Sequence, residues 1–330
     1  MKKRQIVSLL LALSATPALA HHGVAALGVA GLEGPGAPLQ TSSSTTLPQG
    51  SWLGSLQVDH AQYRTFDPST APGDQESDYA QYWMLGVGYG FTPWLSAYVF
   101  QPYNIKEDEY GDTSSRGFTD VSVSGVVGFK YDDGFMLVPA NESLDDMMDW
   151  HFTVYGGASL PTGDANHVLG DGSIDPGKSL GFGEPSFNYG MTATKQFTED
   201  ATAVFEVGQI RFQEYRYDDG QTMKFGTETR VNAALSYRLQ TYPENRFRLD
   251  GIVEANYLAL GRDVSQAGPE PATGGRMLYA LIGARLYKDN LSLGLGLKKP
   301  VWTDLNEEDE QQGAEGREKY RVIATFSVLF

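Results

Sequence analysis

The chain has 330 residues, no cysteine, and 41 Asp+Glu against 25 Lys+Arg, a formal net charge of −16. That balance excludes a nucleic-acid-binding surface, which needs clustered cations to release phosphate counterions. The lack of cysteine excludes disulfides, thiol catalysis and thiolate metal centres. A mean hydropathy of −0.31, with 38 Gly and 18 Tyr, is too polar for a helical membrane protein. It suits a β protein that alternates apolar and polar residues.

Residues 1–20 have the layout of a secretory signal peptide. Lys2, Lys3 and Arg4 precede an apolar run from Ile6 to Leu13, and Ala18-Leu19-Ala20 forms a small-residue cleavage site. The apolar run is far shorter than the roughly 20 residues of a spanning helix. Residues 21–50 are rich in Gly, Ala, Ser and Pro and read as an irregular N-terminal segment. Its stretch from Val24 to Leu32 is more apolar than a free tail requires. The expectation is that it contacts the interior of whatever follows, as a plug.

From Trp52 onward the pattern becomes period-2 alternation broken by turn-forming clusters. Twelve strands are predicted, at 51–66, 79–91, 93–105, 117–131, 148–161, 184–197, 201–217, 222–240, 245–261, 275–288, 290–302 and 317–330. In the last, Tyr320, Val322, Ala324, Phe326, Val328 and Phe330 share one face, with Arg321, Thr325 and Ser327 on the other. Leu291, Leu293, Leu295 and Leu297 alternate with Ser292, Gly294, Gly296 and Lys298. A soluble sandwich would also alternate. Bulky charges on the second face and aromatics at strand ends favour an all-β, transmembrane antiparallel up-and-down barrel of the outer-membrane type, spanning residues 51–330. Tyr79, Trp83, Phe91, Trp94, Tyr103, Trp150, Phe197, Tyr237, Tyr257 and Tyr287 are the expected girdle. Short turns alternate with long loops, except at 132–147, which is long where a short turn is due.

Several turn sequences occur together: Leu47-Pro48-Gln49-Gly50-Ser51-Trp52, Ala158-Ser159-Leu160-Pro161-Thr162-Gly163-Asp164, Gly181-Phe182-Gly183-Glu184-Pro185-Ser186, Lys299-Pro300-Val301-Trp302-Thr303-Asp304-Leu305-Asn306 and the terminal Phe326-Ser327-Val328-Leu329-Phe330. With these the chain resembles the outer-membrane β-barrel transporter family associated with the meta-cleavage (MetA) pathway of phenol degradation. The resemblance implies a barrel passing small solutes, hydrophobic or aromatic ones included. It carries no catalytic residue and no cofactor. The terminal Phe330 pattern resembles the signal by which such barrels are recognised for membrane insertion, so the expected partners are outer-membrane lipid and lipopolysaccharide, the assembly machinery, and a small-molecule solute.

The candidate selectivity residues lie on the polar face of the eighth and ninth predicted strands: Lys224, Glu228, Arg230, Arg238, Arg246, Arg248, Asp250 and Glu254. A lipid-facing Arg at the midplane would cost about 2–4 kcal/mol, whereas a wet lumen tolerates it. A hairpin closing around 241–244 would set Arg238 near Arg246 and Arg230 near Glu254. Such a charged ladder could tune passage or merely fill a narrow barrel. Acid runs at Glu107-Asp108-Glu109, Asp145-Asp146 and Glu307-Glu308-Asp309-Glu310 read as solvated loops. His21 and His22, at a mature N-terminus, would offer nitrogen ligands to copper(II). With His60, His151 and His167 the only other histidines and no Gly-x-Ser-x-Gly elbow, no enzyme is expected. The reading is therefore a passive outer-membrane channel. The alternative is a closed structural or surface-interaction barrel with acidic binding loops.

Overall fold

The computed structural model describes residues 34–64, 77–108, 114–140, 148–307, 311 and 317–330. Twelve long antiparallel strands close into one barrel. They are β1 (Trp52–Tyr63), β2 (Ser77–Thr92), β3 (Leu95–Asp108), β4 (Ser122–Tyr131), β5 (Trp150–Ser159), β6 (Ser186–Gln196), β7 (Ala201–Arg211), β8 (Glu228–Tyr242), β9 (Phe247–Leu260), β10 (Gly275–Lys288), β11 (Leu291–Leu305) and β12 (Glu318–Leu329). Each pairs with its neighbours in sequence, and β1 pairs with β12 from Leu53↔Leu329 to Tyr63↔Glu318. Closure leaves no free sheet edge, which satisfies the backbone where lipid offers no hydrogen bonds. No α-helix occurs among the described residues.

The alternation read from the sequence is the inside–outside division of the wall. Leu293, Leu295, Ile282, Leu85 and Val253 are exposed, whereas Asp250, Arg285, Asp59 and Ser327 are buried. Aromatic rings gather at the end holding the short turns, where Trp52–Tyr89, Tyr89–Phe91 and Tyr131–Phe135 are ring pairs 4.7–5.2 Å apart. Tyr287 is a correction to the expected girdle. It points inward, is buried, and its hydroxyl accepts from Ala37 N at 3.0 Å. The long 132–149 connection also lies at the short-turn end, where Phe135–Leu137 folds back on the end of β4.

The seventh and eighth predicted strands are shorter than the alternation suggests. β7 stops at Arg211 and β8 starts at Glu228. Between them, Tyr215–Arg216 and Thr222–Lys224 join Val264–Ser265 and Gly268–Pro269 in a separate four-stranded sheet beyond the long-loop end. The break coincides with a close backbone approach: a Cβ on Gly226 would lie 2.0 Å from Gly261 O. The 162–183 loop packs with this sheet through Ala165, Ile174, Tyr217 and Met223. It also turns toward the inner wall, where Lys106 Nζ donates to Gly177 O at 2.8 Å and to Ser179 O at 3.2 Å. Asp108, expected on a solvated acid run, is instead buried in an ion pair with Lys178.

Candidate functional site

A barrel of eight strands is just filled by its own side chains. Twelve enclose more space, and here a stretch of chain occupies it. Residues 34–47 carry no strand and are buried throughout. The segment starts near the short-turn end, where Arg238 Nη2 and Arg248 Nη1 donate to Gly34 O at 3.2 and 2.6 Å. It rises to residues 40–42 and returns to the same end, where Leu47 packs with Leu53, Met84, Tyr98 and Phe100.

Inward carboxylates hold the top of this excursion. Glu254 accepts from the backbone N–H groups of Leu39, Gln40 and Thr41 at 2.6, 3.0 and 2.8 Å, and from Thr41 Oγ1 at 2.6 Å. Glu206 accepts from Ser42 N and Oγ at 3.0 and 2.6 Å, from Tyr155 OH at 3.0 Å and from Asn232 Nδ2 at 2.9 Å. Arg285 donates to the carbonyls of Ala37 (3.1 Å) and Pro38 (2.6 Å). Ser44 bonds Thr194 and Thr192, and Leu47 N donates to Ser96 Oγ. An irregular segment in a barrel must have its polar backbone satisfied by side chains, because no ladder does it. The wall is arranged to do so.

One apolar contact fixes the height of the segment. Leu39 is fully buried with Ile252, Leu281 and Ile323. It sits over inward positions of β10 and β11 that are glycine. A Cβ on Gly283, Gly294 or Gly296 would lie 2.4–2.6 Å from a Leu39 methyl.

The family described as "Putative MetA-pathway of phenol degradation" matches residues 77–299. The chain belongs to that family. The match includes Glu206, Arg248, Glu254 and Arg285, and residues 34–47 lie outside it together with β1 and β12. Among solved structures, the COG4313 outer membrane channel from Pseudomonas putida F1 superposes with a TM-score of 0.66 at 10% identity, covering 87% of this chain and 98% of its own. The two share the fold. The β domain of the Bordetella autotransporter BrkA superposes at 0.44 with 11% identity, covering 86% of this chain and all of its own. No curated protein matches the sequence.

The residues singled out on β8 and β9 separate into three groups. Glu228 and Arg230 form an inward ion pair, and Arg248 makes a buried bidentate pair with Asp250 at 2.7 and 2.6 Å. Arg238 and Glu254 are bonded to residues 34–47. Lys224 and Arg246 are not lumenal: Lys224 is exposed on the outer four-stranded sheet, and Arg246 caps the β8–β9 turn, 3.2 Å from Asp289. Arg246 has φ 48, a left-handed turn conformation that swings it out of the strand pattern. The register also differs from a hairpin closing at 241–244. Tyr242 pairs with Phe247, a bulge follows Arg238, and Arg238 faces Asp250 while Ala234 faces Glu254. A bulge inserts one unpaired residue and shifts everything beyond it, which alternation alone does not reveal.

Alternation does place Glu206, Asp59, Arg285 and Arg321 inward, on strands outside the β8–β9 hairpin, which holds the densest run of charges. Asp59 and Glu318 flank Arg321, with Arg321 Nη1 3.5 Å from Asp59. His151 is buried and inward, its Nδ1 3.2 Å from Asp149 O. His21 and His22 lie outside the described residues, as do Asp145, Asp146 and the 1–20 segment.

Proposed function

We propose that this protein is an outer-membrane channel for small solutes whose lumen is closed at rest by residues 34–47, acting as a displaceable plug. The observation that carries the reading is the chemistry of the seat. The plug is held mainly by charged and hydroxyl groups, which water can satisfy once it leaves. Both ends of the plug lie at the short-turn end, which in this reading faces the periplasm. The long loops and the outer sheet then face outward, and residues 1–20 serve as the export signal. Membership of a family named for phenol degradation supports small hydrophobic or aromatic solutes. The exposed Phe330, whose backbone pairs with Trp52 at 2.8 and 3.1 Å, is the feature the assembly machinery would recognise.

Single-channel recording in planar bilayers tests this, comparing the mature protein with a variant lacking residues 23–45. The intact protein should show rare or small steps and the deletion large, sustained ones. Equal large conductance in both would remove the plug from the account. Silence from both folded barrels would favour the closed, surface-interaction reading, in which the outer sheet and loops do the binding.

A further inference from the structure

The buried carboxylates on the barrel strands are not equivalent. Asp59 and Glu318 pair with Arg321, Asp108 with Lys178, Glu228 with Arg230 and Asp250 with Arg248. Glu206 and Glu254 make no ion pair among the described residues. Their partners are neutral N–H and O–H groups of the plug, Tyr155, Asn232 and Asn256. We propose that these two carboxylates are the receptor for a primary ammonium group, and that a small amine with a compact apolar body binds there in place of plug residues 39–42.

Three observations define the ligand. First, a buried carboxylate is costly unless a cation or several hydrogen bonds offset it, and here neutral donors do so only while the plug is seated. Glu254 Oε2 accepts from Thr41 N and Glu206 Oε2 from Ser42 N. Those residues are consecutive, with Cα atoms about 3.8 Å apart, so the two carboxylates converge on a spot one residue long. Second, Asn256 stands between them. Its Nδ2 is 3.4 Å from Glu254 Oε2, and it faces Asn232, the donor to Glu206, in register across β8 and β9. Asn256 is 5% exposed and its Oδ1 is buried with no hydrogen-bond partner. The site thus offers two carboxylates and a spare carbonyl oxygen, all acceptors, and an ammonium group supplies three N–H donors with a positive charge. Third, Leu39 sets the apolar body. Glu254 Oε1 accepts from its N–H, and its side chain fills a pocket of Ile252, Leu281 and Ile323 over the glycines of β10 and β11. Withdrawal of the plug leaves an apolar slot the size of a leucine side chain beside the carboxylates. Neighbouring cations are engaged elsewhere. Arg230 pairs with Glu228, Lys298 Nζ lies 4.1 Å from the Tyr279 ring centroid, and Arg285 is directed at the carbonyls of Ala37 and Pro38 and at Ser292.

This names a solute class for the proposed channel and rests on that reading for the displaceable plug. Binding itself can be measured without transport. The probe is radiolabelled benzylamine in equilibrium dialysis against the folded mature protein in detergent. Two unlabelled competitors separate its features: benzyl alcohol lacks the charge, and benzyltrimethylammonium keeps the charge but has no N–H donor. Benzylamine should bind saturably, and each competitor should be at least tenfold weaker than unlabelled benzylamine. Leu39→Ala empties the apolar slot and loosens the plug, so it should tighten binding about tenfold. In that background Glu206→Gln and Glu254→Gln should each weaken it about tenfold. Both changes also remove acceptors from the plug, so a more tightly seated plug cannot be the cause of the loss. Asp304→Asn, at an exposed position on β11, should change nothing. Circular dichroism establishes that each variant is folded, and the same glutamate changes in the otherwise intact chain carry the test if Leu39→Ala is not. Equal competition by all three compounds, binding indifferent to both glutamates, or no saturable binding even to the barrel lacking residues 23–45 overturns the site. Binding to that barrel but never to the intact chain sinks the displaceable plug and leaves the site standing. A conducting channel that binds no benzylamine sinks this inference alone.

Discussion

Glu254 takes four hydrogen bonds from three consecutive plug residues, so it is the side chain on which plug attachment turns most directly. Bonds to a charged acceptor contribute about 1.5–3 kcal/mol each, and removing the acceptor strands its donors. Lumenal water can recover part of this loss, so Glu254→Ala should weaken docking by about 3 kcal/mol. That corresponds to amide exchange at residues 39–42 roughly 100-fold faster. Glu254→Gln keeps the shape and one acceptor oxygen, and should fall between. Unchanged exchange in the alanine variant would mean the plug is held elsewhere. A second residue acts outside the wall. Asp263, in the loop after β9, accepts from Gly226 N at 2.7 Å and so clasps the 226 and 263 segments together. Burial pushes its carboxyl from the ordinary 3.8 up to about 6, against the lowering by the Gly226 bond and helped by nearby Glu270. The folded carboxyl thus binds its proton more tightly than the unfolded one. The clasp gains stability as pH falls through about 6, holds that gain in full below about 4, and loses it above about 7. Asp263→Asn should make the clasp pH-independent and, at pH 7.5, more stable by up to about 3 kcal/mol, as read from amide exchange in 226–228. A variant that retains the pH slope would assign it to another group.

The elements differ sharply in how far they could be read from sequence. β11 is legible because Leu291, Leu293, Leu295 and Leu297 must face one solvent and their partners another, and a wall between lipid and lumen enforces that period at every residue. The plug is not, because an irregular backbone has no period. Its Thr41-Ser42-Ser43-Ser44-Thr45-Thr46 run has the composition of a linker, yet each of the six residues is buried. The meaning of those hydroxyls lies in Glu254, Glu206, Thr192 and Thr194, between about 150 and 215 positions away. The one local trace of the seat is the pair Gly294 and Gly296 on the inward face of β11, small where a wide lumen does not require it. Those glycines make the seat testable at the scale of the element. A valine at Gly296 would meet the Leu39 methyl at 2.6 Å with its Cβ alone. Leu39 lies on a segment with no strand ladder, whereas the wall is tied by ladders on both sides, so the plug should yield rather than the barrel. Gly296→Val should therefore leave β-sheet circular dichroism intact and raise channel open probability, while Leu39→Ala in the same background should restore closure. An unfolded Gly296→Val barrel would show that the wall yields instead.

At the scale of the whole molecule the charges are sorted along the barrel axis. Arg238, the Arg248–Asp250 pair and Arg285 lie toward the short-turn end, in register with one another across β8, β9 and β10. Glu254 and Glu206 lie farther up the lumen. With the plug in place this sorting is internal bookkeeping: arginines meet plug carbonyls, and glutamates meet plug N–H groups. Without it, Arg238 and Arg285 at one level and Glu254 and Glu206 at another lose those partners and face water. A pore with unpaired arginines toward one end and glutamates farther up has an asymmetric potential profile, because each set of charges acts over a Debye length of only about 8 Å. The barrel lacking residues 23–45 should therefore rectify, passing unequal currents at voltages of opposite sign. Glu206→Gln with Glu254→Gln should remove those glutamate charges and move the reversal potential in a salt gradient toward the anion limit. Arg285→Gln should move it the other way. Arg246→Gln should leave both current and reversal potential as they were, because Arg246 sits outside the lumen beside Asp289. That null variant makes the experiment decisive about placement as well as charge. A response to Arg246→Gln equal to that of Arg285→Gln would show current controlled at the mouth rather than within the lumen, and the charged wall would then serve only to seat the plug.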